Sequence, residues 1–267
     1  MAHIALTIAG SDSGGGAGIQ ADLKAFSALG TFGTSVITAI TAQNTEAVTA
    51  VHPVPLDVVR AQIEAVLSDI GADAIKIGML ATPEIIHEVA DALAGFTGPI
   101  VLDTVMIAKS GDALLADAAV ATLREVLLPR ATVITPNLPE AARLLETEFA
   151  KDEAEVIAQG RALCDLGAQA VLMKGGHAAG DICHDYLITA EGVALELTAP
   201  RRATKNTHGT GCTLSSSVAA GLAKGMTLSE AVREAHAYLQ GAIAAADDLN
   251  IGQGHGPLHH FHRVWPA

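Results

Sequence analysis

Short apolar segments that alternate with helical patterns are the feature of this chain that most restricts its fold. Each of these segments is apolar on both faces, as strands buried inside a parallel sheet are. They are IALTIAG (4–10), VITAI (36–40), AIKIG (74–78), IVLDTVM (100–106), TVITPN (132–137) and AVLMKGG (170–176). The alternation predicts an α/β fold with a mostly parallel central sheet flanked by helices. In such a sheet, ligands bind beyond the carboxyl ends of the strands.

Helix boundaries are marked by local signals. Thr82 is followed by a proline and a glutamate, which is typical of a helix start. Thr227 and Glu230 have the spacing of a capping box before a helix that extends toward Leu249. Gly30 is a predicted helix stop. After residue 174, DYLITAEG and VALELTA predict a hairpin that adds antiparallel strands at an edge of the sheet.

Composition and charge exclude several classes of protein. The chain has 267 residues, half of them hydrophobic, with no linker-like stretch, so we expect one domain over residues 1–267. Sixteen basic and 29 acidic residues give a net charge of −13, which disfavours nucleic-acid binding. No apolar run is long enough to span a membrane and no signal peptide is predicted. Three widely spaced cysteines fit a reduced thiol pool, so we expect a cytoplasmic protein without disulfides.

A glycine-rich loop, GSDSGGGAGIQADLK (10–24), follows the first predicted strand. Neither a dinucleotide fingerprint (GxGxxG) nor a phosphate-binding GK[ST] motif occurs in the chain, so a dinucleotide oxidoreductase is disfavoured. Glycines allow the backbone to approach a ligand closely, although an ordinary turn would have the same composition. Asp12 and Asp22 flank the loop, where either is suited to bind an amine or to cap a helix.

The segment NTHGTGCTLSS (206–216) predicts an anion site. A helix is expected to begin close to Cys212, and Gly209 and Gly211 leave its first N–H groups uncovered. Bare N–H groups at a helix N-terminus attract phosphate, and Thr210 and Thr213 add hydroxyl donors. An ordinary glycine turn is the alternative interpretation.

Cys212 lies inside this predicted anion site. A helix N-terminus lowers the pKa of a thiol, so we expect the pKa of Cys212 to be depressed. A group with a pKa near the working pH suits general-base chemistry on a substrate hydroxyl.

Eight motifs, in order along nearly the whole chain, resemble the hydroxymethylpyrimidine/phosphomethylpyrimidine kinases of the ribokinase-like superfamily. They are GGAGIQADLKAFSALG, AQNT, KIGML, VLDTVMIAKSGD, ITPNLPEA, VLMKGGH, NTHGTGCTLSS and GPLHHFH. The superfamily carries Gly-x-Gly-Asp at its anion hole, and residues 209–212 put Cys212 in the place of the aspartate, as this kinase family does. Gly14 and Ile107 depart from the family pattern at positions away from the predicted chemistry.

The resemblance implies a ribokinase-like three-layer sandwich and a reaction that depends on ATP and Mg²⁺. The substrate would be 4-amino-5-hydroxymethyl-2-methylpyrimidine, phosphorylated to its monophosphate and then to the diphosphate in thiamine diphosphate biosynthesis. The implied catalytic residues are Cys212, as the base, and Lys174. The anion hole would be formed by Gly209, Thr210 and Gly211, and ATP would be bound by Lys174, Thr210 and Thr213. Mg²⁺ would be organised, through water, by Asn137 and Glu140, and the residues implied to bind substrate are Gly10, Asp22, Gln43, Met79 and Val105. The family also suggests a homodimer.

Several alternatives stay open from the residues alone. Without the resemblance, Gln43 would be interpreted as a solvent-facing loop residue, and Asn137 with Glu140 as the start of a helix. A pyridoxal or pyridoxine kinase is the nearest alternative function, and a non-catalytic pyrimidine-binding module is a second. The Lys109-Ser110-Gly111 segment is hypothesised to be a mobile flap. The histidine-rich tail (255–262) favours surface or packing roles over a metal site, because no carboxylate or cysteine lies near it in sequence.

Overall fold

Eight strands form one sheet, and two more form a small antiparallel sheet, within residues 2–106, 117–177 and 180–265, which this computed structural model describes. The strands are β1 Ile4–Ala9, β2 Phe32–Ile37, β3 Ala39–Gln43, β4 Val48–Pro53, β5 Ala74–Ile77, β6 Ile100–Leu102, β7 Val133–Ile134, β8 Ala170–Lys174, β9 Ile182–Thr189 and β10 Gly192–Pro200. The order in the large sheet is β10-β9-β8-β7-β6-β5-β1-β2. From β2 through β1, β5, β6 and β7 to β8, neighbouring strands pair in parallel. At the other edge, β9 pairs antiparallel with both β8 and β10. The predicted sheet and its edge hairpin are confirmed.

Helices cover both faces of the large sheet. They are α1 Gly18–Ala28, α2 Leu56–Ala65, α3 Pro83–Ala92, α4 Asp117–Thr122, α5 Leu138–Leu145, α6 Glu153–Asp165, α7 Thr210–Ala223 and α8 Leu228–Ala244. Short π segments follow α2 (Val66–Ile70) and α4 (Leu123–Leu127), and 3₁₀ turns lie at Leu128–Arg130, Gly175–His177 and Ala246–Leu249. No helix in the described part of the chain is both long and apolar enough to cross a bilayer.

Two cores, one on each face of the sheet, explain why the strand segments are apolar throughout. Leu6 of β1 and Ile75 of β5 pack into the core beneath α2, α3, α5 and α6. Their neighbours Ala5 and Ala74 belong to the opposite core, beneath α1, α7 and α8. Successive side chains of a strand point to opposite faces, so a strand buried on both sides is apolar at every position. The small alanines let α7 approach the sheet closely, and this approach brings its N-terminus to the strand ends. The result is the three-layer sandwich that the resemblance implies.

One predicted strand is wrong in its extent. VITAI does not continue as a single strand, because the chain leaves the large sheet at Thr38, whose N–H donates to the Ala9 carbonyl and whose hydroxyl donates to the Met79 carbonyl. Residues from Ala39 onward form β3, which pairs with β4 in the small sheet. The apolar composition of this segment predicted a strand buried in the main sheet, but Ile40 on β3 is 55% exposed.

The predicted helix starts are confirmed. The Thr82 hydroxyl accepts from the Ile85 N–H at the start of α3. Thr227 and Glu230 form a complete capping box at the start of α8. Helix α1 ends at Ala28, and Gly30 adopts a left-handed φ of 73° just beyond it.

Candidate active site

The carboxyl ends of the parallel strands bring polar residues together at one edge of the sheet. Gly10 follows β1, Asp103 follows β6, Asn137 lies three residues beyond β7 and Lys174 ends β8. The N-terminus of α7 reaches the same edge. A Cβ atom added to Gly211 would lie 3.6 Å from both Asp103 Oδ2 and Lys174 Nζ. The sheet topology therefore assembles the predicted site from segments far apart in sequence.

Asp12 organises the glycine-rich loop from inside. Its side chain is 1% exposed and accepts from the backbone N–H groups of Gly14, Gly16 and Ala17 at 2.8–3.0 Å. The His208 ring lies 2.8 Å from the same carboxylate. Burial works to raise the pKa of Asp12, but the His208 contact and the backbone N–H groups outweigh it and hold the pKa below its ordinary value. Asp12 thus serves the loop and is not free to bind an amine.

The two glycine segments are in direct contact, and only glycine permits the approach. Gly209 has a φ of 83°, and a Cβ atom there would lie 1.9 Å from the Gly16 carbonyl oxygen. A Cβ atom at Gly18 would lie 2.4 Å from the Gly10 carbonyl oxygen. Both contacts are with rigid backbone, so neither position accepts a side chain without moving the loop.

Helix α7 begins at Thr210 with Gly209 as N-cap, and no side chain caps it. The first intrahelical bond runs from the Thr213 N–H to the Gly209 carbonyl. Helix geometry therefore leaves the N–H groups of Gly211 and Cys212 without an intrahelical acceptor. The start of α7 lies beside Lys174, where the sequence predicts an anion site.

The pKa predicted for Cys212 is wrong in this structure. The residue keeps some accessible surface, but burial raises the pKa of its thiol to about 12. The carboxylates of Asp22 and Asp103 raise it further, whereas the charge of Lys76 and the N–H of Gly18 act to lower it. Desolvation and nearby negative charge thus outweigh the charge of Lys76 and the hydrogen bond from Gly18. The thiol is protonated at neutral pH.

Asp22 lies beneath the site and not on its surface. Its side chain is 0% exposed, and its oxygens accept from the Thr7 and Ser216 hydroxyls at 2.6 Å and from Lys76 Nζ at 2.9 and 3.0 Å. The direct contact with substrate implied for Asp22 is therefore not supported by this geometry. Lys76 is a functional candidate that the sequence reasoning missed, because it stands in the middle of an apolar strand. Burial works to lower the pKa of Lys76, but the Asp22 carboxylate outweighs it, so Lys76 remains charged.

Lys174 lies between two carboxylates. Its Nζ is 3.5 Å from Asp103 Oδ1 and 3.9 Å from Glu140 Oε2. The Asp103 carboxylate is held by the hydroxyls of Thr135 and Ser215 at 3.2 and 3.0 Å. Asp103 was missed by the sequence reasoning, although its position directly after a buried strand was an available signal. Burial raises the pKa of Glu140, and the Asp103 charge adds to this against the opposing effect of Lys174.

Asn137 and Glu140 form a capping box at the start of α5, which is the helix-start interpretation of the sequence. The Glu140 N–H donates to Asn137 Oδ1 and the Asn137 N–H donates to Glu140 Oε2, both at 2.9 Å. Hard carboxylate oxygens suit Mg²⁺, which usually takes one or two of them and completes its shell with water and phosphate. Asp103 and Glu140 fit that requirement, and no group of three or more His, Cys, Asp or Glu among the described residues is arranged as a metal cluster. Asn137 Oδ1 is engaged as a cap, and the role implied for Asn137 toward Mg²⁺ stays a prediction.

Thr213 does not face the candidate site. Its side chain is 0% exposed, and its hydroxyl lies 2.9 Å from His260 Nε2 in the carboxyl-terminal tail. The ATP contact implied for Thr213 is therefore not supported by this geometry. Thr210, at the first position of α7, is partly exposed and remains in place for that role.

The residues implied to bind substrate border the same edge. The Gly10 N–H donates to the Met79 carbonyl at 3.1 Å, and Met79 is 8% exposed with its sulfur against Gly10. Gln43 ends β3, is partly exposed and places Nε2 3.4 Å from His208 Nε2. Val105 lies two residues beyond Asp103 and is partly exposed. The hypothesised flap at residues 109–111 lies outside the described residues.

Known proteins are similar to this chain in sequence and in fold. A family described as phosphomethylpyrimidine kinase matches residues 12–259. The chain is 58% identical over 265 residues to the hydroxymethylpyrimidine/phosphomethylpyrimidine kinase of Rhizobium meliloti (strain 1021). The aligned region covers 99% of each protein. Its fold is similar to that of Bacillus subtilis pyridoxal kinase in an ADP complex (TM-score 0.91, 38% identity, 99% and 100% coverage). It is also similar to that of a phosphomethylpyrimidine kinase from Clostridium difficile 630 (TM-score 0.79, 44% identity, 90% and 99% coverage). The chain belongs to the phosphomethylpyrimidine kinase family.

Proposed function

We propose that this protein is a hydroxymethylpyrimidine and phosphomethylpyrimidine kinase that acts in thiamine diphosphate biosynthesis. It transfers a phosphoryl group from ATP to 4-amino-5-hydroxymethyl-2-methylpyrimidine and then a second one to the monophosphate. The observation that carries the proposal is the uncapped N-terminus of α7, which presents Cys212 beside Lys174 and two carboxylates at the carboxyl edge of the sheet. The name of the Rhizobium meliloti relative, at 58% identity, supports the same reaction.

Phosphoryl transfer requires positioning and charge neutralisation more than covalent chemistry. The N–H groups of Gly211 and Cys212 and the Nζ of Lys174 supply positive potential where the transferring group would lie. Asp103 and Glu140 would hold Mg²⁺, in part through water, and the bound ion would neutralise phosphate charge. Thr210 and Lys174 would contact the ATP phosphates.

Cys212 Sγ is the proposed proton acceptor. It takes the proton of the hydroxymethyl group while that oxygen forms the new O–P bond and the P–O bond to ADP breaks. Because the thiol has a pKa of about 12, it must first release its proton to solvent, and only the resulting thiolate accepts the proton of the hydroxymethyl group. Lys76 and the Gly18 N–H are the groups that favour the thiolate. In a loose transition state the entering oxygen carries little charge, so the proton moves late.

The pyrimidine would lie among Gly10, Gln43, Met79 and Val105. Gln43 offers a donor and an acceptor, which match the exocyclic amine and the adjacent ring nitrogen of an aminopyrimidine. Met79 provides a polarisable apolar surface for the ring. Asp22 acts from beneath, through Ser216 and Lys76, and not by direct contact.

A pyridoxal kinase is the second candidate, favoured by one observation. The Bacillus subtilis pyridoxal kinase shares the fold over 99% of this chain. We would follow ADP release by the purified protein with Mg²⁺, ATP and one acceptor at a time. Turnover of hydroxymethylpyrimidine and of its monophosphate is expected. Turnover of pyridoxal with neither pyrimidine would move the function to the second candidate, and no turnover would leave a binding module.

The remaining expectations concern assembly and location. We propose a homodimer, for which the exposed apolar side chains Ile40 and Val51 on the β3–β4 sheet are supporting features. Elution in size-exclusion chromatography at the mass of one 27.2 kDa chain would contradict it. The single-domain organisation over residues 1–267 and the cytoplasmic location stay predictions.

A further inference from the structure

The carboxyl-terminal segment 254–262 contains the histidine-rich motif to which the proposed reaction assigns no role. This segment runs back over the glycine loops of the site. The His208 N–H donates to the Gly256 carbonyl at 3.1 Å, and His208 and Pro257 form an isolated parallel β-bridge. A Cβ atom added to Gly16 would lie 3.1 Å from the Pro257 side chain. The tail therefore packs against both loops at the point where they meet.

His260 links this tail to helix α7. The His260 side chain is 4% exposed, and its Nε2 lies 2.9 Å from the hydroxyl of Thr213, which is fully buried. The His260 carbonyl accepts from the Tyr238 hydroxyl of α8 at 2.7 Å. Burial lowers the pKa of His260 to about 4, and the charge of Lys24 acts in the same direction. The imidazole is therefore neutral at physiological pH, and its contact with Thr213 does not change over that range.

The contact with His260 supports the first turn of α7. Gly209 and Gly211 have no side chains with which to anchor the turn, and no side chain caps it. Thr213 is adjacent to Cys212 in sequence and makes the first intrahelical bond, to the Gly209 carbonyl at 2.9 Å. A hydroxyl held at this position fixes the turn from behind while its front stays bare for phosphate. Misplacement of a reacting group by about 1 Å can lower a rate about 100-fold.

We propose that His260 is a positioning residue that fixes the first turn of α7, and with it Cys212, through its hydrogen bond to Thr213. The inference rests on the proposed kinase function, since the turn is placed for phosphoryl transfer. It gives the tail a role that requires no metal ion.

Steady-state kinetics on a set of variants test the proposal. The set is His260→Ala, His260→Gln, Thr213→Val, the His260→Ala/Thr213→Val pair, and His262→Ala as the matched control. His262 belongs to the same motif, but its ring contacts Tyr238 of α8 and the His259 carbonyl. We expect His260→Ala and Thr213→Val each to lower kcat about tenfold or more, with a smaller change in KM for the pyrimidine. The double variant should be no worse than either single variant, because both remove the same contact. His260→Gln should recover part of the rate, and His262→Ala should keep it.

A second readout does not depend on any substrate. In chains with Cys164→Ser and Cys183→Ser, iodoacetamide modifies only Cys212. His260→Ala is expected to speed this alkylation severalfold, because the turn that carries Cys212 loosens, whereas His262→Ala should leave it unchanged. Unchanged kcat and alkylation in folded His260→Ala protein would overturn the proposal. So would additive losses in the double variant, or an equal loss in His262→Ala. If the unmodified protein phosphorylates neither pyrimidine, the proposed function fails, and the alkylation comparison still decides the role of His260.

Discussion

Helices α5 and α7 both begin at the carboxyl edge of the sheet and both face Lys174, but their N-termini differ. At α5, Asn137 and Glu140 exchange hydrogen bonds with each other's backbone, so the cap is complete. At α7, Gly209 supplies the N-cap in a left-handed conformation and no side chain covers the end. The capped end presents a carboxylate to the site, whereas the uncapped end presents N–H groups.

This difference assigns opposite charges to the two sides of the site. Lys174 Nζ lies 3.9 Å from Glu140 Oε2 on one side and 3.6 Å from the Cβ position of Gly211 on the other. The carboxylate side suits a divalent cation, and the N–H side suits a phosphoryl group. A helix N-terminus is therefore suited to either kind of ligand, and the residue at the N-cap decides which one.

The largest expected effect concerns the thiol at the uncapped end. Cys212→Ala should lower kcat for hydroxymethylpyrimidine by about 10²–10⁴-fold, because a general base is lost. The loss should be much smaller with the monophosphate as acceptor, since a phosphate is already largely ionised at neutral pH and needs no base. ADP release with each acceptor measures both values. Cys164→Ala is the control, because Cys164 contacts the Ile188 carbonyl of β9, away from the site. Equal losses of kcat with the two acceptors in Cys212→Ala would contradict the base role.

The second effect tests the close approach at the uncapped end. Gly209 and Gly225 have φ values of 83° and 80°, but only Gly209 faces a neighbouring backbone atom, while nothing lies within 4 Å of the Cβ position at Gly225. Alanine at either site should destabilise the protein by about 1–2 kcal/mol through backbone strain, and Gly209→Ala should destabilise it further because of the clash with Gly16. Only Gly209→Ala should also lower kcat, by about 100-fold, because the turn must move away from Gly16. Thermal unfolding and ADP release together separate strain from displacement, and a matching loss of activity in Gly225→Ala would refute the distinction.

A third, smaller effect is the pH dependence of the thiol. In the folded protein the pKa of Cys212 is about 12, above the ordinary value of about 8.5 for a free thiol. The thiolate fraction, and with it the alkylation rate of Cys212, should keep rising about tenfold per pH unit past the point where a free thiol levels off. Alkylation from neutral to alkaline pH in chains that retain only Cys212 measures this. A plateau near neutral pH would show that the uncapped end does acidify the thiol.

The smallest effect concerns the capped end. Asn137→Ala should destabilise the protein by about 0.5–2 kcal/mol, and Thr227→Ala at the capping box of α8 should cost a similar amount. The expected decrease in melting temperature is roughly 2–4 °C per kcal/mol for a chain of this size. Neither variant should change kcat or the Mg²⁺ concentration that supports half-maximal activity. A higher Mg²⁺ requirement in Asn137→Ala, but not in Thr227→Ala, would support a role for Asn137 in the metal site.

Features that depend on near neighbours in the chain were predictable. The caps at Thr82 and Thr227 involve residues three apart, and their sequence signals are confirmed. The strand segments around Leu6 and Ile75 were recognisable because burial on both faces requires an uninterrupted apolar run. One contact between distant segments, that of Lys174 with the start of α7, was expected only because the family resemblance implied that both bind phosphate.

Features that depend on distant neighbours were not predictable. Lys76 pairs with Asp22, 54 residues away, and nothing in the AIKIG segment indicates a buried charge. The Thr213 hydroxyl meets His260, 47 residues away, so a side chain that suggested a ligand contact is instead part of the interior. The pKa of Cys212 was predicted in the wrong direction because only the helix end was considered, and not its burial or the carboxylates of Asp22 and Asp103.

The sequence by itself determined the alternation of buried parallel strands with helices, the ends of several helices and the family to which the chain belongs. These depend on backbone hydrogen bonds and on apolar periodicity, which act over a few residues. Only the tertiary structure decided which polar groups are exposed, which are paired and which protonation state the thiol adopts. Desolvation and Coulomb interactions sum over every group nearby in space, and the fold brings those groups together from α1, β5, β6 and α7.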